Sequence, residues 1–353
     1  MNPIQRKILD GMFIAKNGAH GINATAVTVA YQAIFTRCNR PDYTVKYGEY
    51  CYERVKNILP RSEFFFKVKG TKLKAYYYES KKKLGIVIVS HGIKSGADDY
   101  IPLIKYVVQN GFDVFAYDVT GTYESEGDNT VGMCQAIIDL EGAIKYVQSS
   151  YMFSNMPIFL IGHSWGAYAA ASVLSLCDGI SGCAAIAGMN NGCNMMVDKA
   201  TQYVGKIGAV PGPLFDEYQR MLFGDYVDCN AVAGINSKPI PVLVAHGITD
   251  KTITFNTQSI ISHKNEFTNK NVQYYIGRGL NGGHDDIWHS KEAYIYKKEI
   301  DSDAKLLSFE RGEQLTEQEQ IAFCNTVDHR LYSAPNEELM DKIISMFKSA
   351  LRR

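Results

Sequence analysis

Ile158-Phe159-Leu160-Ile161-Gly162-His163-Ser164-Trp165-Gly166 is the stretch that decides the fold. Its four apolar residues read as a buried strand, Gly162 to Gly166 as a sharp turn, and Ala167 to Cys177 as the helix that follows. Gly-x-Ser-x-Gly alone is a common pattern, and a turn without chemistry is its plainest reading. Between a strand and a helix it is far more specific. A serine held in that turn projects its hydroxyl into a crevice at strained backbone angles. Gly162 and Gly166 are expected there because a Cβ at either would collide with the neighbouring strand or helix. The following helix directs its positive dipole end at the site, which favours developing negative charge. Ser164 is therefore the candidate nucleophile.

Outward from this stretch the chain alternates short β-branched or aromatic runs with longer helical patterns. Glu63 to Lys69 and Lys72 to Tyr78 read as an antiparallel hairpin across Gly70. Gly85 to Ser90 is almost continuously apolar, as a strand buried on both faces should be. Phe112 to Tyr117, Pro157 to Ile161, Cys183 to Ala187, Pro241 to Ala245 and Val272 to Ile276 complete a predicted set of eight strands. Ala97 to Gln109, with Ile101, Ile104, Val107 and Val108 at helical spacing, and Met133 to Val147 are helices between them. The class is α/β, with a mostly parallel eight-stranded sheet and helices on both faces. Residues 1–60 read as an N-terminal helical extension and 61–353 as the main domain. Residues 188–236 interrupt the rhythm as a helical cap insertion, with Met189, Met195, Met196, Tyr203, Leu214, Phe215, Tyr218, Met221, Leu222 and Phe223 among its apolar groups. Residues 291–335 form a second, charged helical insertion before a last amphipathic helix from Glu337 to about Leu351.

A serine hydroxyl is inert at its ordinary pKa, so a base and an orienting acid must come from elsewhere. Asp250 follows the strand ending in Ala245, and His284 follows the strand ending in Ile276, so three chemically competent residues stand past three strand ends. Their order, Ser, then Asp, then His, is the order in which one strand–turn–helix fold supplies its relay. Asp285 and Asp286 compete for the acid's role, but residues beside His284 rarely fold back to its Nδ1, and Asp250 is preferred over Asp286. His284-Asp285-Asp286-Ile287-Trp288-His289 also has metal-ligand types; its two histidines are five apart, not the four that share a helix face, so no metal is assigned. His163 is expected to point away from the pocket and to pack, and His246 to be structural.

Ser90-His91-Gly92-Ile93-Lys94-Ser95-Gly96 follows the strand at 85–90. Acyl transfer needs two backbone N–H donors at the developing oxyanion, and Trp165 and Ile93 are the candidates. VIVSHG (Val87 to Gly92), AYDVTGTYESEG (Ala116 to Gly127), GHSWG (Gly162 to Gly166), AHGITD (Ala245 to Asp250) and GGHDD (Gly282 to Asp286) together resemble the α/β-hydrolase superfamily. Within it they are most similar to the serine-aminopeptidase/lysophospholipase-like branch of broad-specificity hydrolases. The resemblance covers about residues 63–290 and the final helix. It implies the α/β-hydrolase fold, a site at Ser164, Asp250 and His284, and no cofactor. Asp118 to Gly127 resembles that branch's D-x-x-G-x-x-x-S-x-G loop, which shapes the site; Val119-Thr120 stands where an aromatic-Arg pair is frequent.

Of the 353 residues, 46% are hydrophobic, and 37 basic side chains balance 37 acidic ones. That supplies a large core and argues against nucleic acid or an anionic membrane as the main partner. Lys81-Lys82-Lys83, the longest basic cluster, reads as a solvated turn. Eight cysteines (Cys38, Cys51, Cys134, Cys177, Cys183, Cys193, Cys229 and Cys324) form no CxxC pair and read as buried free thiols of a reducing compartment. Asp10 and Lys16 interrupt any leader-like apolar core, and Gly21 to Phe35 is too short and polar to span a bilayer. A cytoplasmic protein acting on a small-molecule substrate is expected. An ester or thioester hydrolase is the leading reading. A peptidase or acyltransferase with the same residues is the second, and a non-catalytic ligand-binding member of the fold the third.

Overall fold

Strands whose every residue is apolar are buried on both faces, and their alternating side chains feed two separate cores. The computed structural model describes residues 3–18, 21–46, 50–197, 212–311 and 314–352. Eight strands, β1 (Ser62–Val68), β2 (Thr71–Tyr78), β3 (Ile86–Ser90), β4 (Asp113–Tyr117), β5 (Ile158–His163), β6 (Ile180–Ile186), β7 (Val242–Gly247) and β8 (Val272–Gly277), form one sheet in the order β1-β2-β4-β3-β5-β6-β7-β8. β1 and β2 pair antiparallel, as do β2 and β4; the remaining pairs are parallel. Lys69 and Gly70 join β1 to β2 with φ of 47° and 89°. Two consecutive positive φ values make the twisted two-residue hairpin turn that matches strand twist.

The helices used below are α1 (Pro3–Lys16), α2 (Gly21–Ile34), α3 (Ile101–Gln109), α4 (Gln135–Ser149), α5 (Trp165–Ser172), α6 (Gly212–Phe223), α7 (Ala231–Asn236), α8 (Lys291–Arg311), α9 (Glu317–Thr326) and α10 (Glu337–Ala350). On one face Ile86, Ile88, Ile158 and Leu160 pack against α4, α5 and α7 through Ile137, Ala167 and Ile235. On the other, Val87, Val89, Phe159 and Ile161 meet α3 and α10 through Ile104, Ile343 and Phe347. Period-two alternation thus serves both layers. The predicted helix 97–109 is two elements: a 3-10 turn, Ala97–Tyr100, then α3, with Pro102 in its first turn. The helix predicted from Ala167 starts two residues earlier at Trp165 and tightens to 3-10 geometry at Val173–Ser175.

α1 and α2 lie against α6. Phe13 and Tyr31 pack on Tyr218 with ring centroids 4.9 and 5.3 Å apart, and the Tyr31 hydroxyl donates to Gln219 at 3.1 Å. Leu214 and Phe215 are buried in the same cluster. Tyr203 lies outside the described residues. All eight cysteines are free thiols; six are buried and Cys38 and Cys229 half-buried. No described helix is long and apolar enough to cross a membrane.

Parallel pairing of β3 and β5–β8 brings their carboxyl ends to one edge of the sheet. That edge is where an open α/β sheet presents its loops to a ligand. Ser164, Asp250, His284 and the Gly92–Ile93 turn all leave the sheet there.

Candidate active site

Ser164 stands alone between β5 and α5 at φ 56°, ψ −117°, a conformation few non-glycine residues hold. Its N–H donates to the Ile186 carbonyl at 2.8 Å, and its own carbonyl accepts from Ala167 N at 3.0 Å, so both neighbours pin the turn. The two glycines are there for space. A Cβ on Gly162 would sit 2.1 Å from the Gly166 carbonyl oxygen, and one on Gly166 would sit 2.0 Å from the Ser90 carbonyl oxygen. Both obstacles are backbone and cannot rotate away. Gly166→Ala is therefore expected to cost about 3 kcal/mol or more of stability, read from urea unfolding. A stable, fully active Gly166→Ala protein would contradict this packing.

The chain brings Ser164, His284 and Asp250 into one line. His284 Nδ1 lies 2.7 Å from Asp250 Oδ2, and its Nε2 lies 2.9 Å from Ser164 Oγ. A carboxylate only accepts, so Nδ1 carries the ring's proton and the bare Nε2 accepts from the serine hydroxyl. Asp250 is buried at the end of β7, where Oδ1 accepts from the N–H groups of Thr252 and Ile253 at 2.8 and 2.9 Å. Oδ2 also faces His246 Nε2 at 3.1 Å, and that nitrogen reaches the Ile253 carbonyl at 2.9 Å. Burial alone would raise the Asp250 pKa. The bonds from His246 and His284, the His284 charge and the Ile253 N–H outweigh it and hold the carboxyl well below the usual range. His246 is structural, as expected, in a specific way: it holds the Asp250 carboxylate in place.

His163 departs from its sequence expectation. Its ring lies behind His284, with centroids 5.2 Å apart, instead of turning away from the site. The Tyr100 hydroxyl accepts from Gly92 N–H at 3.0 Å and donates to His163 Nδ1 at 2.8 Å. His163 Nε2 then faces the His284 carbonyl at 3.3 Å. Burial, aided by the nearby His284 charge, lowers the His163 pKa to about 4, so the imidazole is neutral and its 3.7 Å approach to Asp285 is not an ion pair. A buried tyrosine–histidine bridge therefore ties the Gly92 turn to the backbone of His284. Sequence reading missed it, since Tyr100 carries no local signal and only its stacking on Trp288, at 5.5 Å, marks its place.

The rival residues are engaged elsewhere. The Asp286 carboxylate lies under Gly283, where an added Cβ would meet its Oδ2 at 2.1 Å. His289 Nδ1 donates to the Asp285 carbonyl at 2.8 Å. Among the described residues, His163, His284 and Asp285 are the group whose ligand atoms approach within 4.8 Å of one another, and His289 is not part of it.

Trp165, first residue of α5, has an N–H with no partner one turn back in its own helix. Gly92, the residue before Ile93, abuts the serine: a Cβ there would lie 3.4 Å from the Ser164 Cβ. The loop 118–127 buttresses this turn. His91 Nε2 accepts from Val119 N–H at 2.9 Å, while its Nδ1 donates to the Gly92 carbonyl at 2.7 Å; burial lowers its pKa to about 4. Thr120 N–H donates to Asp139 at 2.7 Å, which anchors the Val119-Thr120 pair on α4. Arg37 clamps the loop from outside by donating to the carbonyls of Tyr123, Ser125 and Gly127 at 2.6, 3.1 and 2.6 Å.

Burial pushes Asp118 up to about 7, against donors at Ala97 N–H and the Tyr76 hydroxyl, and pushes Asp139 up to about 6. Both hold a proton more tightly folded than at their ordinary 3.8, so their stabilisation is full below that pH and is lost as pH rises through 6 to 7. The neutral imidazoles of His91 and His163, with pKa lowered to about 4, act in the opposite sense below pH 6.5, so the carboxyl contribution is read by difference: the Tm advantage of the wild type over Asp118→Asn is expected to shrink by about 2–5 °C between pH 5 and pH 8 in calorimetric scans. An advantage that grows over this interval would contradict it.

An eight-stranded, mostly parallel sheet with a lone strained serine after β5 and helices on both faces has solved counterparts. The chain has the α/β-hydrolase fold. Residues 81–222 of this chain match a family model described as serine aminopeptidase, S33. The chain is 27% identical over 115 residues to protein phosphatase methylesterase 1 of Candida albicans, a match covering 33% of this chain and 31% of that protein. It thus spans about a third of the curated relative's length. The Pyrococcus furiosus esterase Pf2001 superposes with a TM-score of 0.54 at 17% identity, covering 78% of this chain and 97% of the other. Est1E of Butyrivibrio proteoclasticus, solved with ferulic acid, gives 0.53 at 13% identity over 82% and 100%. At those identities the structural likeness is one of fold.

Proposed function

We propose that this protein is a serine hydrolase that cleaves a carboxylic ester or thioester by two-step acyl transfer on Ser164. The observation that carries the reading is the unbroken line from Ser164 Oγ through His284 to Asp250, at 2.9 and 2.7 Å, on a strained turn. His284 takes the serine proton as the hydroxyl attacks the carbonyl, and Asp250 holds the ring and stabilises its charged form. The N–H groups of Ile93 and Trp165 receive the oxyanion, helped by the amino end of α5. His284 then protonates the leaving group, and a water activated by the same ring releases the acid. Nothing in this sequence of steps calls on a cofactor. The methylesterase named among the similar proteins supports the ester reading, and the aminopeptidase description of the matching family model keeps an amide as the second.

The segment 188–236 acts as the cap in this reading. Its apolar residues divide: Leu214, Phe215 and Tyr218 are spent on packing α1 and α2, whereas Met195 and Val197 line a cavity of about 440 Å³ whose other walls include Asn190, Asn191, Asn194, Asp216 and Gln258. In this reading Met195 and Val197 supply the apolar contact for the acyl group, and the polar walls limit its length.

Labelling with a fluorophosphonate and mapping the adduct tests the nucleophile. The adduct is expected on Ser164; an adduct elsewhere, or none, overturns the reading. Across p-nitrophenyl esters from acetate to octanoate, kcat/KM is expected to rise by about tenfold as apolar area is buried. A flat series would remove the apolar acyl group from the proposal.

A further inference from the structure

We propose that the outward face of α1, built from Ile4, Ile8 and Met12, docks the protein on the surface of an anionic phospholipid bilayer. The inference stands apart from the chemistry at Ser164. The amphipathic pattern of α1 is inverted. Its ion pair faces in: Arg6 and Asp10 are 5% and 8% exposed, and Arg6 Nε donates to Asp10 at 3.2 Å. Its large apolar groups face out, with Ile4, Ile8 and Met12 exposed by 71%, 59% and 62%. Single exposed apolar residues are ordinary on a protein surface. A buried ion pair opposite an exposed apolar row on one helix is not.

The row follows from helical geometry. At about 100° per residue, Gly11, Ile4, Ala15, Ile8 and Met12 fall within a single arc of about 100°, and all of them are exposed. Phe13 lies on the opposite side, against Tyr218. Bonds fix that inner side. Asp10 accepts from the Tyr218 hydroxyl and from Gln32 Nε2, the latter at 2.6 Å. Arg6 donates to the Val131 carbonyl at 3.3 Å, and its guanidinium lies over the rings of Tyr31 and Tyr218. Turning α1 about its axis to bury the apolar row would strand these groups, so the apolar face stays outward. Neighbouring α2 carries no charged side chain and presents Val29, 59% exposed.

Charge selects the occupant. Among the described residues, no exposed side chain of α1 or α2 is acidic. Lys16, at one edge of the apolar arc, is held by Glu217 at 2.6 Å. Lys7, at the other edge, is exposed and has no carboxylate partner among the described residues. A second copy of the chain laid antiparallel on this arc would set Lys7 against its own equivalent, with no acid on either helix to meet it. Lipid phosphates meet it with opposite charge, while Ile4, Ile8 and Met12 enter the acyl boundary beneath them. That is how an interfacial helix lies in the plane of a bilayer. The balanced charge of the whole chain, which argues against a membrane as main partner, does not extend to this face.

Flotation of the full chain with vesicles of phosphatidylcholine and about 30% phosphatidylglycerol tests the face. The protein is expected to float with them in about 0.1 M salt. Its partition coefficient is expected to fall about fivefold in Lys7→Gln, on pure phosphatidylcholine, or in about 0.5 M salt. Ile8→Ser combined with Met12→Ser is expected to lower it about tenfold or more. Both side chains are exposed, so the melting temperature and the hydrolysis of a soluble p-nitrophenyl ester are expected to match the wild type. Met12→Trp gives a readout independent of that pair: its emission is expected to shift to the blue with vesicles and to be quenched by brominated lipid. Failure to float, or flotation untouched by the serine pair, overturns the proposal. So does a wild-type dimer in light scattering that the serine pair turns into a monomer while vesicles bind neither.

Discussion

Ser164→Ala is expected to lower kcat toward a p-nitrophenyl ester by about 10⁴–10⁶-fold while leaving the unfolding midpoint nearly unchanged. The hydroxyl's partner is His284 Nε2, and the turn is held by the backbone bonds to Ile186 and Ala167 and by the two glycines, none of which needs the oxygen. Removing it takes away chemistry without loosening structure. His284→Ala is expected to lose as much, and the double variant little more than either alone, because the two act as a unit. Steady-state kinetics with active-site titration reads this directly. A double variant another thousandfold slower would mean that serine and histidine act independently.

Asp250→Asn is expected to lower kcat by about 10³–10⁴-fold and also to lower stability. Thr252 and Ile253 N–H groups already claim Oδ1, so an asparagine keeps its carbonyl there and turns its NH₂ toward both histidines. His284 and His246 each aim an N–H at that corner in the native protein. Facing a donor, His284 must shift its proton to Nε2, where it can no longer accept from Ser164. His246 is caught as well, since its Nδ1 is buried without a hydrogen-bond partner and gains a proton it cannot place. kcat measured beside a urea melt separates the two effects. Activity within tenfold of wild type would reassign the acid.

The sheet was legible because its central strands are buried on both faces, so that β3 and β5 read as unbroken apolar runs whatever their partners. Their ends blurred where propensity competes with packing. The 3-10 turn at Ala97–Tyr100 is set by the Gly96 and Asp99 bonding around it, which periodicity does not register. At the site, the order of Ser164, Asp250 and His284 was readable because each follows a recognisable strand. What escaped was support from groups far apart in sequence: Tyr100 against His163, Asp139 under Thr120, and Arg37 around loop 118–127. His246 was the nearest to being read, standing four residues before Asp250 at the same strand end. Its meaning depends on a loop that folds the carboxylate back over the strand.

The packing of α1 and α2 on α6 constrains how the protein is made. The Asp10 carboxylate accepts from the Tyr218 hydroxyl across 208 positions, and Tyr31 reaches Gln219 across 188. During synthesis the first two helices emerge from the ribosome long before residues 212–223 exist. At about 5–20 residues per second, that wait lasts roughly 10–40 s. Phe13, Val27 and Tyr31, fully buried in the finished protein, lack their α6 cover throughout it. Slowing translation before α6 is therefore expected to lower soluble yield without touching a single residue of the site.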